Sequence, residues 1–333
     1  MSQNTSLFTV ESLQSGLPGP SSDPELESVR SWFLDQKNYA ARFAQVFRKS
    51  IDEVLDGQRT QRYDLYVKKG EGRVEKTEKT YLGTKVEIVT RAEFGLGYGH
   101  PMDYSIQGVD VDAKFTMNNA WTIPEEAVGH ICLLLHADDR ESLFQVGLLR
   151  MSDDVLNAGT NRDGKRTVSA AGRLRIRWIV KNGEMPRNFL LELKKKHPEK
   201  IHAIFHASDK HRGPGTGGQL RVNELFRQVP GKLIDRNAAM TVATQHDGPK
   251  RIRDARNDLR PAGFVVLGHQ QPGPRIAEDL GLPIPRNGSW VSAKLALATD
   301  DDSRRSTVVN GISYTLWREG DAHIEAPVIT SSD

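Results

Sequence analysis

Residues 101–115 carry the most regular strand pattern of the chain and read Pro-Met-Asp-Tyr-Ser-Ile-Gln-Gly-Val-Asp-Val-Asp-Ala-Lys-Phe. Alternate residues of a strand share a face, so Asp110, Asp112 and Lys114 are predicted to point one way and the apolar residues the other. Gln107-Gly108 is typical of a turn, so 103–106 and 109–115 are predicted to form a hairpin. This hairpin would bring Asp103 close to Asp112, and two neighbouring carboxylates repel unless a cation lies between them.

The residue types at this hairpin favour metal-assisted hydrolysis of a phosphodiester. Magnesium binds through one or two carboxylates while it keeps water and phosphate ligands, and a neighbouring ammonium contacts the phosphate or polarises the attacking water. We therefore expect Asp103 and Asp112 to bind Mg²⁺, Glu87 to complete the metal site, and Lys114 to align the water. An Asp-x-Lys pattern alone is also typical of a solvated, ion-paired strand face.

The local pattern around Glu87 predicts a short helix. Thr84-Lys85-Val86-Glu87 has the form of a capping box, in which a hydroxyl and a glutamate satisfy the first backbone N–H groups of a helix. A strand is the alternative, since Val86 and Ile88 also fit alternation.

The remainder of the N-terminal half predicts an α/β region. Residues 1–22 are rich in Ser, Gly and Pro and are predicted to be a mobile tail. Asp23-Pro24 starts an amphipathic helical pattern that closes at Asp56-Gly57, either as one long helix or as two broken near Gln36. Apolar runs at 130–136 and 143–151 predict two further strands.

The C-terminal half predicts a basic, mostly helical unit. We expect a connection at 180–188, after a nuclease domain at 23–179, and a DNA-binding domain at 189–300. Helical patterns at 222–229, 235–244 and 249–257 precede a strand at 263–267, an order typical of a winged helix-turn-helix. In the third helix, four basic residues within two turns are the candidate DNA contacts: Lys250, Arg251, Arg253 and Arg256. Residues 301–333 are predicted to be a C-terminal tail.

Charge is divided unevenly along the 333 residues, whose net charge is only +3. Residues 1–158 hold 17 basic and 24 acidic side chains, whereas residues 159–300 hold 26 and 13. The acidic half thus contains the candidate metal ligands, and the basic half suits a phosphate backbone.

Composition excludes two classes of protein. With 37% hydrophobic residues and 29 glycines, the chain is typical of a globular protein and not of a disordered one. It contains no apolar run of the roughly 18 residues that a membrane span needs. The absence of a signal-peptide pattern and the single cysteine, Cys132, which we expect to be a core residue, favour a cytoplasmic location.

The order and spacing of Glu87, Asp103, Asp112 and Lys114 resemble the active site of the NaeI-type (type IIE) restriction endonucleases, which uses a glutamate, two aspartates and a lysine. The resemblance covers most of residues 25–295. It extends through the segments 76–80 (Lys-Thr-Glu-Lys-Thr), 169–173 (Ser-Ala-Ala-Gly-Arg), 176–178 (Ile-Arg-Trp) and 222–227 (Val-Asn-Glu-Leu-Phe-Arg). Residues before 23 and after about 300 do not match.

The resemblance implies a fold class and an activity. The fold would be an α/β (α+β) restriction-endonuclease-like core followed by a mostly α winged helix-turn-helix domain of the catabolite-activator type. The activity would be Mg²⁺-dependent double-strand cleavage of DNA at GCCGGC by a homodimer, with a second DNA copy bound at the C-terminal domain as activator. Two alternatives stay open: a non-catalytic DNA-binding regulator of the helix-turn-helix class, and a nicking repair endonuclease.

Overall fold

A computed structural model describes residues 23–66, 74–118, 120–209, 217–245, 247–299 and 301–329. The tail predicted at 1–22 lies outside the described residues, as does most of the polar loop before residue 217. Within the described residues the fold is mixed α/β, as expected, and no helix among them is long and apolar enough to cross a bilayer.

The N-terminal helices begin and end at the predicted signals. Asp23 caps the first helix by accepting a hydrogen bond from the Leu26 backbone N–H at 3.0 Å. The helical pattern is broken once, at residues 35–38, where Asn38 has a positive φ of 55°. Asp56 ends the second helix, also with a positive φ. The helices of this half are α1 (Pro24–Leu34), α2 (Tyr39–Leu55), α3 (Gly57–Thr60) and α4 (Lys76–Phe94).

A six-stranded sheet forms the centre of the N-terminal half. Its strands are β1 (Gly97–Tyr98), β2 (Tyr104–Ile106), β3 (Val109–Thr116), β5 (Ile131–Asp138), β6 (Leu143–Arg150) and β9 (Arg177–Glu184). They lie side by side in the order β1-β2-β3-β5-β6-β9. The predicted hairpin is confirmed as β2–β3, and β3 pairs with β5 in parallel. Helices α1, α2 and α4 bury their apolar faces, including Phe33, Phe47 and Val86, against one face of this sheet.

A smaller three-stranded sheet packs on the opposite face. It consists of β4 (Thr122–Ile123), β7 (Leu156–Thr160) and β8 (Arg166–Val168), and the short helix α5 (Ala170–Leu174) follows it. Leu156 and Val168 of the small sheet share a core cluster with Cys132 and Leu134 of β5. The central sheet is therefore covered on both faces.

The stretch predicted as a connection, 180–188, overlaps the edge strand of the central sheet. Val180, Gly183 and Glu184 pair with β6, so β9 continues through the Asn182-Gly183 turn signal, and only 185–188 lie between it and the next helix. Gly183 is required there by packing, because a Cβ would lie 2.4 Å from the Phe144 ring. Where the two domains divide stays a prediction.

The C-terminal half begins with α6 (Phe189–Lys196) and α7 (Pro198–His206). The three predicted helices are present as α8 (Gly217–Gln228), α9 (Arg236–Ala243) and α10 (Gly248–Asp258). Strand β11 (Phe264–Leu267) follows and pairs with β12 (Ser289–Leu297), which also pairs with β10 (Leu233–Asp235). Helix α11 (Gly273–Asp279) lies between β11 and β12 in the chain.

The stretch predicted as a C-terminal tail contains regular structure. Residues 306–316 form a hairpin of β13 (Ser306–Val309) and β14 (Ile312–Leu316), and β14 pairs with the end of β12. Asn310-Gly311 makes the turn with φ of 52° and 76°. Thr307, Val309 and Tyr314 are buried beneath this hairpin, so residues 306–316 belong to the folded protein.

Candidate active site

The β2–β3 hairpin brings Asp103 beside β3, as its pattern predicts. Asp103 directly precedes β2, and Tyr104 pairs with Val111 in register. The Asp103 Oδ2 atom accepts a hydrogen bond from the Ala113 backbone N–H at 2.7 Å. This hydrogen bond fixes the Asp103 carboxylate beside Ala113, the residue between Asp112 and Lys114 in β3.

Asp112 and Lys114 share the face of β3 that looks away from α2 and α4. The Lys114 Nζ atom lies 2.6 Å from Asp112 Oδ2, and the Asp112 residue is only 6% exposed. Val111, Ala113 and Phe115 pack on the opposite side, with the helices. The strand prediction for this motif is thus confirmed in its alternation and in the closeness of the two charged groups.

Glu87 approaches Asp103 from helix α4, close enough for the negative charge of Asp103 to help raise its pKa. The helix prediction for Glu87 is confirmed, but its predicted start is wrong: α4 begins at Lys76, and Thr84 lies inside it with its hydroxyl donating to the Thr80 carbonyl. The Tyr104 hydroxyl donates to the Glu87 carbonyl at 3.0 Å, which joins α4 to β2. We call Glu87, Asp103, Asp112 and Lys114 together the acidic site.

Electrostatics show that the acidic groups lie close enough to influence each other. Burial raises the pKa of Asp112 to about 6, helped by a hydrogen bond with the Asp103 carboxyl, against the lowering effect of Lys114. Burial also raises the pKa of Glu87, and the negative charge of Asp103 adds to that effect. Burial opposes the charged form of Lys114, but the attraction of Asp112 outweighs it and raises the Lys114 pKa.

The donor chemistry of the acidic site fits a hard divalent cation. Two carboxyl groups in hydrogen-bond contact, one with a raised pKa, mark excess negative charge that a cation would relieve. Among the described residues, however, no three His, Cys, Asp or Glu side chains converge closely enough to hold a metal ion. Instead, Lys114 pairs with Asp112, and Arg91 pairs with Glu87 at 3.0 Å.

Sequence reasoning missed the contacts that Arg91 and Cys132 make with this site. Arg91 is one helical turn after Glu87, so the spacing on α4 could have indicated the pair; it also donates to the Asp103 carbonyl at 3.2 Å. The Cys132 thiol lies 3.7 Å from Asp112 Oδ2, because β5 pairs in parallel with β3 and sets these two residues side by side. No local pattern signals that pairing. Cys132 is fully buried, as expected.

The four candidate DNA contacts lie on α10, and the structure separates them. Lys250, Arg253 and Arg256 are exposed residues, although the Arg256 Nε also donates to the Val266 carbonyl at 3.2 Å. The Arg251 side chain is 19% exposed, and it lies 3.6 Å from Asp254. Three of the four are therefore accessible to a nucleic acid, and Arg251 is mostly enclosed.

Comparison with known proteins gives two concordant results. A family model described as restriction endonuclease NaeI matches residues 28–325. The chain is also 39% identical over 312 residues to the type II restriction enzyme NaeI of Lentzea aerocolonigenes, covering 92% of this chain and 95% of that enzyme. The match extends past residue 300, where the sequence resemblance was expected to end, and includes the β13–β14 hairpin.

Proposed function

The chain belongs to the NaeI restriction endonuclease family, and from that premise we propose that the acidic site hydrolyses phosphodiester bonds of double-stranded DNA. Family membership identifies the protein as a type II site-specific deoxyribonuclease. The observation that carries the assignment of the site is the convergence of Asp103, Asp112 and Lys114 on one hairpin. Glu87 joins them from α4, where the Asp103 charge acts on it.

Each residue of the acidic site has a distinct task in this mechanism. Asp103 and Asp112 would hold Mg²⁺, with Glu87 as the third carboxylate, and the metal would supply charge neutralisation at the scissile phosphate and a more acidic water. Asp112 must be deprotonated to act as a metal ligand. Because its pKa is raised to about 6, the carboxylate form predominates only above that pH. The Lys114 ammonium, which pairs with Asp112 at 2.6 Å, is placed to align the attacking water and to contact a phosphate oxygen.

The DNA-binding half of the proposal rests on the order of elements in the C-terminal half. The order of helices α8, α9 and α10 and strands β10, β11 and β12 supports a winged helix-turn-helix, in which α10 would be the recognition helix. Lys250, Arg253 and Arg256 contact the DNA from its exposed face. The Arg251 side chain is mostly enclosed beside Asp254, and its backbone carbonyl accepts a hydrogen bond from Gln219 of α8.

Finer properties of the proposal are supported by family resemblance alone. They are cleavage at GCCGGC, activation by a second DNA copy at the C-terminal domain, a homodimer as the active form, and a cytoplasmic location. Each of these properties can be wrong while the assignment of the acidic site is right.

Digestion of a sequenced supercoiled plasmid tests the assignment. We expect Mg²⁺ to yield linear products with unique mapped ends, and EDTA, Asp112→Ala or Lys114→Ala to abolish them. Asp110→Ala is the matched control, because Asp110 shares the strand face but accepts its hydrogen bond from the His100 N–H, outside the acidic site.

Three outcomes contradict the proposal. Cleavage that survives EDTA or the Lys114 variant refutes the mechanism. Tight DNA binding without strand breaks under any divalent metal supports a regulator, and open-circular products alone support a nicking enzyme.

A further inference from the structure

A second basic surface lies on the nuclease half, away from α10. It consists of Arg162 and Lys165 at the tip of the β7–β8 hairpin and Arg173 on α5, and we call it the hairpin surface. All three residues are exposed, and within the described part of the chain none of their side chains has an ion-pair or hydrogen-bond partner. Three exposed cations without an acidic partner leave positive charge available to an anionic ligand.

Neighbouring arginines of this half are treated differently by the fold. Arg166, between the tip and α5, pairs with Asp153 at 2.8 Å, and Arg177 pairs with Glu27 at 2.7 Å. Acidic partners thus pair with these arginines, whereas Asp163 of the hairpin tip lies 3.8 Å from Lys76 and, among the described residues, forms no ion pair with Arg162 or Lys165. The positive charge of the hairpin surface is therefore available to an anionic ligand, whereas that of Arg166 and Arg177 is neutralised within the protein.

The tip of the hairpin is an ordered loop. The Asn161 Oδ1 atom accepts from the backbone N–H groups of Asp163 and Lys165, each at 2.9 Å, and the Asn161 N–H donates to the Lys165 carbonyl at 2.8 Å. At α5, Gly172 packs so closely on Val155 that a Cβ would lie 2.3 Å from its carbonyl oxygen. The hairpin tip and α5, which carry the three cations, are therefore ordered before any ligand binds. This order lowers the conformational entropy lost on binding.

The base of the β7–β8 hairpin and the side chains of Asp112 and Lys114 are on the same face of the central sheet. Asp112 and Lys114 point to the face opposite α2 and α4, and Cys132 lies 3.7 Å from Asp112 on that face. Cys132 in turn shares a core cluster with Leu156 and Val168, the residues that begin β7 and end β8. The base of the hairpin therefore packs on the face of the sheet that carries Lys114.

Helix α4 gives an estimate of the distance between the hairpin tip and the acidic site. Lys76, at its start, lies 3.8 Å from Asp163 at the hairpin tip, and Glu87 of the acidic site is eleven residues further along the same helix. Eleven residues of α-helix cover about 17 Å. That length corresponds to about five phosphates along one DNA strand, so a single duplex can reach both.

We propose that Arg162, Lys165 and Arg173 of the hairpin surface bind the backbone phosphates of the substrate duplex and hold it across the acidic site. This inference rests on the proposed function for the identity of the duplex as substrate. DNA binding by the hairpin surface does not require cleavage. The phosphate contact and the nuclease activity can therefore be refuted independently.

Salt dependence of DNA binding tests the proposal. The full chain with Lys250→Gln and Arg253→Gln serves as background, so that α10 contributes less to the signal. Fluorescence anisotropy of an end-labelled duplex is followed in EDTA over a salt series. Adding Arg162→Gln, Lys165→Gln and Arg173→Gln is expected to lower the slope of log K against log salt by about 2.7, or about 0.9 for each contact.

The expected loss of affinity is about eightfold per contact at 0.1 M salt. Lys49→Gln is the matched control, since Lys49 is an exposed, unpaired cation among the described residues but lies on α2, on the opposite side of the sheet. It is expected to leave the slope unchanged. Because the three hairpin residues are exposed, their variants should retain the wild-type circular dichroism spectrum, and the single variants replace the triple variant if it does not.

Two results would overturn the proposal. One is a triple variant whose salt slope falls by less than about 0.9, the value for a single contact. The other is a triple variant whose salt slope changes no more than that of Lys49→Gln. A change in sedimentation mass without a change in slope would assign the surface to a second copy of this chain. If the wild-type protein cuts no DNA in Mg²⁺ but the slope falls as expected, the proposed function fails and the phosphate contact stands.

Discussion

Replacement of Asp112 by Asn is expected to stabilise the protein while it abolishes cleavage. The pKa of Asp112 is about 6 in the folded protein and has an ordinary value of 3.8, a difference worth about 3 kcal/mol. Because the folded-state pKa is raised, stability is lost as pH rises from 3.8 through 6, and the penalty is complete above that window. The pKa already includes the attraction of Lys114, so the net effect of the charge on folding is unfavourable.

Asparagine imitates the protonated acid. Its carbonyl can accept from Lys114, and its amide can donate to the Asp103 carboxylate. Urea denaturation in EDTA at neutral pH should show Asp112→Asn more stable than the wild type by about 1–3 kcal/mol. The gap in stability should shrink as the pH falls through 6 and close below pH 3.8, where the wild-type carboxyl is protonated in both states. Mg²⁺ should stabilise the wild type more than the variant and so narrow the gap at neutral pH.

Asp110→Asn controls for the loss of a carboxylate on the same strand, and it should not gain stability. The reasoning is refuted if Asp112→Asn is less stable than the wild type at neutral pH, or if its advantage is the same at every pH. Such results would mean that the Lys114 pair contributes more to folding than the crowding of carboxylates costs.

Three further predictions concern other parts of the molecule. Arg48→Met should destabilise the protein by about 3–5 kcal/mol in urea denaturation, because it leaves the buried Asp139 carboxylate, 2.6 Å away, without its cation; a loss below 1 kcal/mol would contradict this. Glu87→Gln should raise the Mg²⁺ concentration for half-maximal cleavage about 10-fold or more, and an unchanged metal titration would remove Glu87 from the metal site. Lys250→Gln with Arg253→Gln should lower the salt slope of DNA binding by about 1.8, and an unaltered slope would exclude α10 as a DNA contact.

The acidic site was the most predictable part of the chain. The β2–β3 hairpin depends on a turn at Gln107-Gly108 and on strict alternation in β3, and both are local signals. Asp112 and Lys114 are two residues apart on one strand, so their contact follows from strand geometry. The approach of Glu87 required the packing of α4 on the sheet, for which the resemblance to a family supplied what local pattern could not.

Other local signals were overridden by tertiary packing. Thr84 has the right spacing for a helix cap, yet α4 starts two turns earlier, and Leu82 is already buried. Asn182-Gly183 has turn chemistry but lies in β9, where Gly183 accommodates the Phe144 ring. The enclosure of Arg251 depends on the packing of α10 on α8, where Gln219 donates to the Arg251 backbone carbonyl, and no spacing within α10 encodes that packing.

One missed element did have a local signal. Asn310-Gly311 between β-branched residues is among the strongest indications of a two-residue hairpin, and β13 and β14 flank it. The acidic composition of the C-terminus led to the expectation of a tail. The pairing of β14 with β12 shows that charge content is a weaker guide than turn chemistry at this position.

The single cysteine of the sequence is fully buried and lies beside a carboxylate of the acidic site. A thiol reagent therefore modifies the native protein at one position only, and only after the strands around Asp112 separate. The rate of that modification, divided by the rate for an exposed thiol, gives the fraction of molecules in which this part of the sheet is open. Cys132 is thus a built-in reporter of local opening, which can be read without a label or a mutation while metal and DNA are added one at a time.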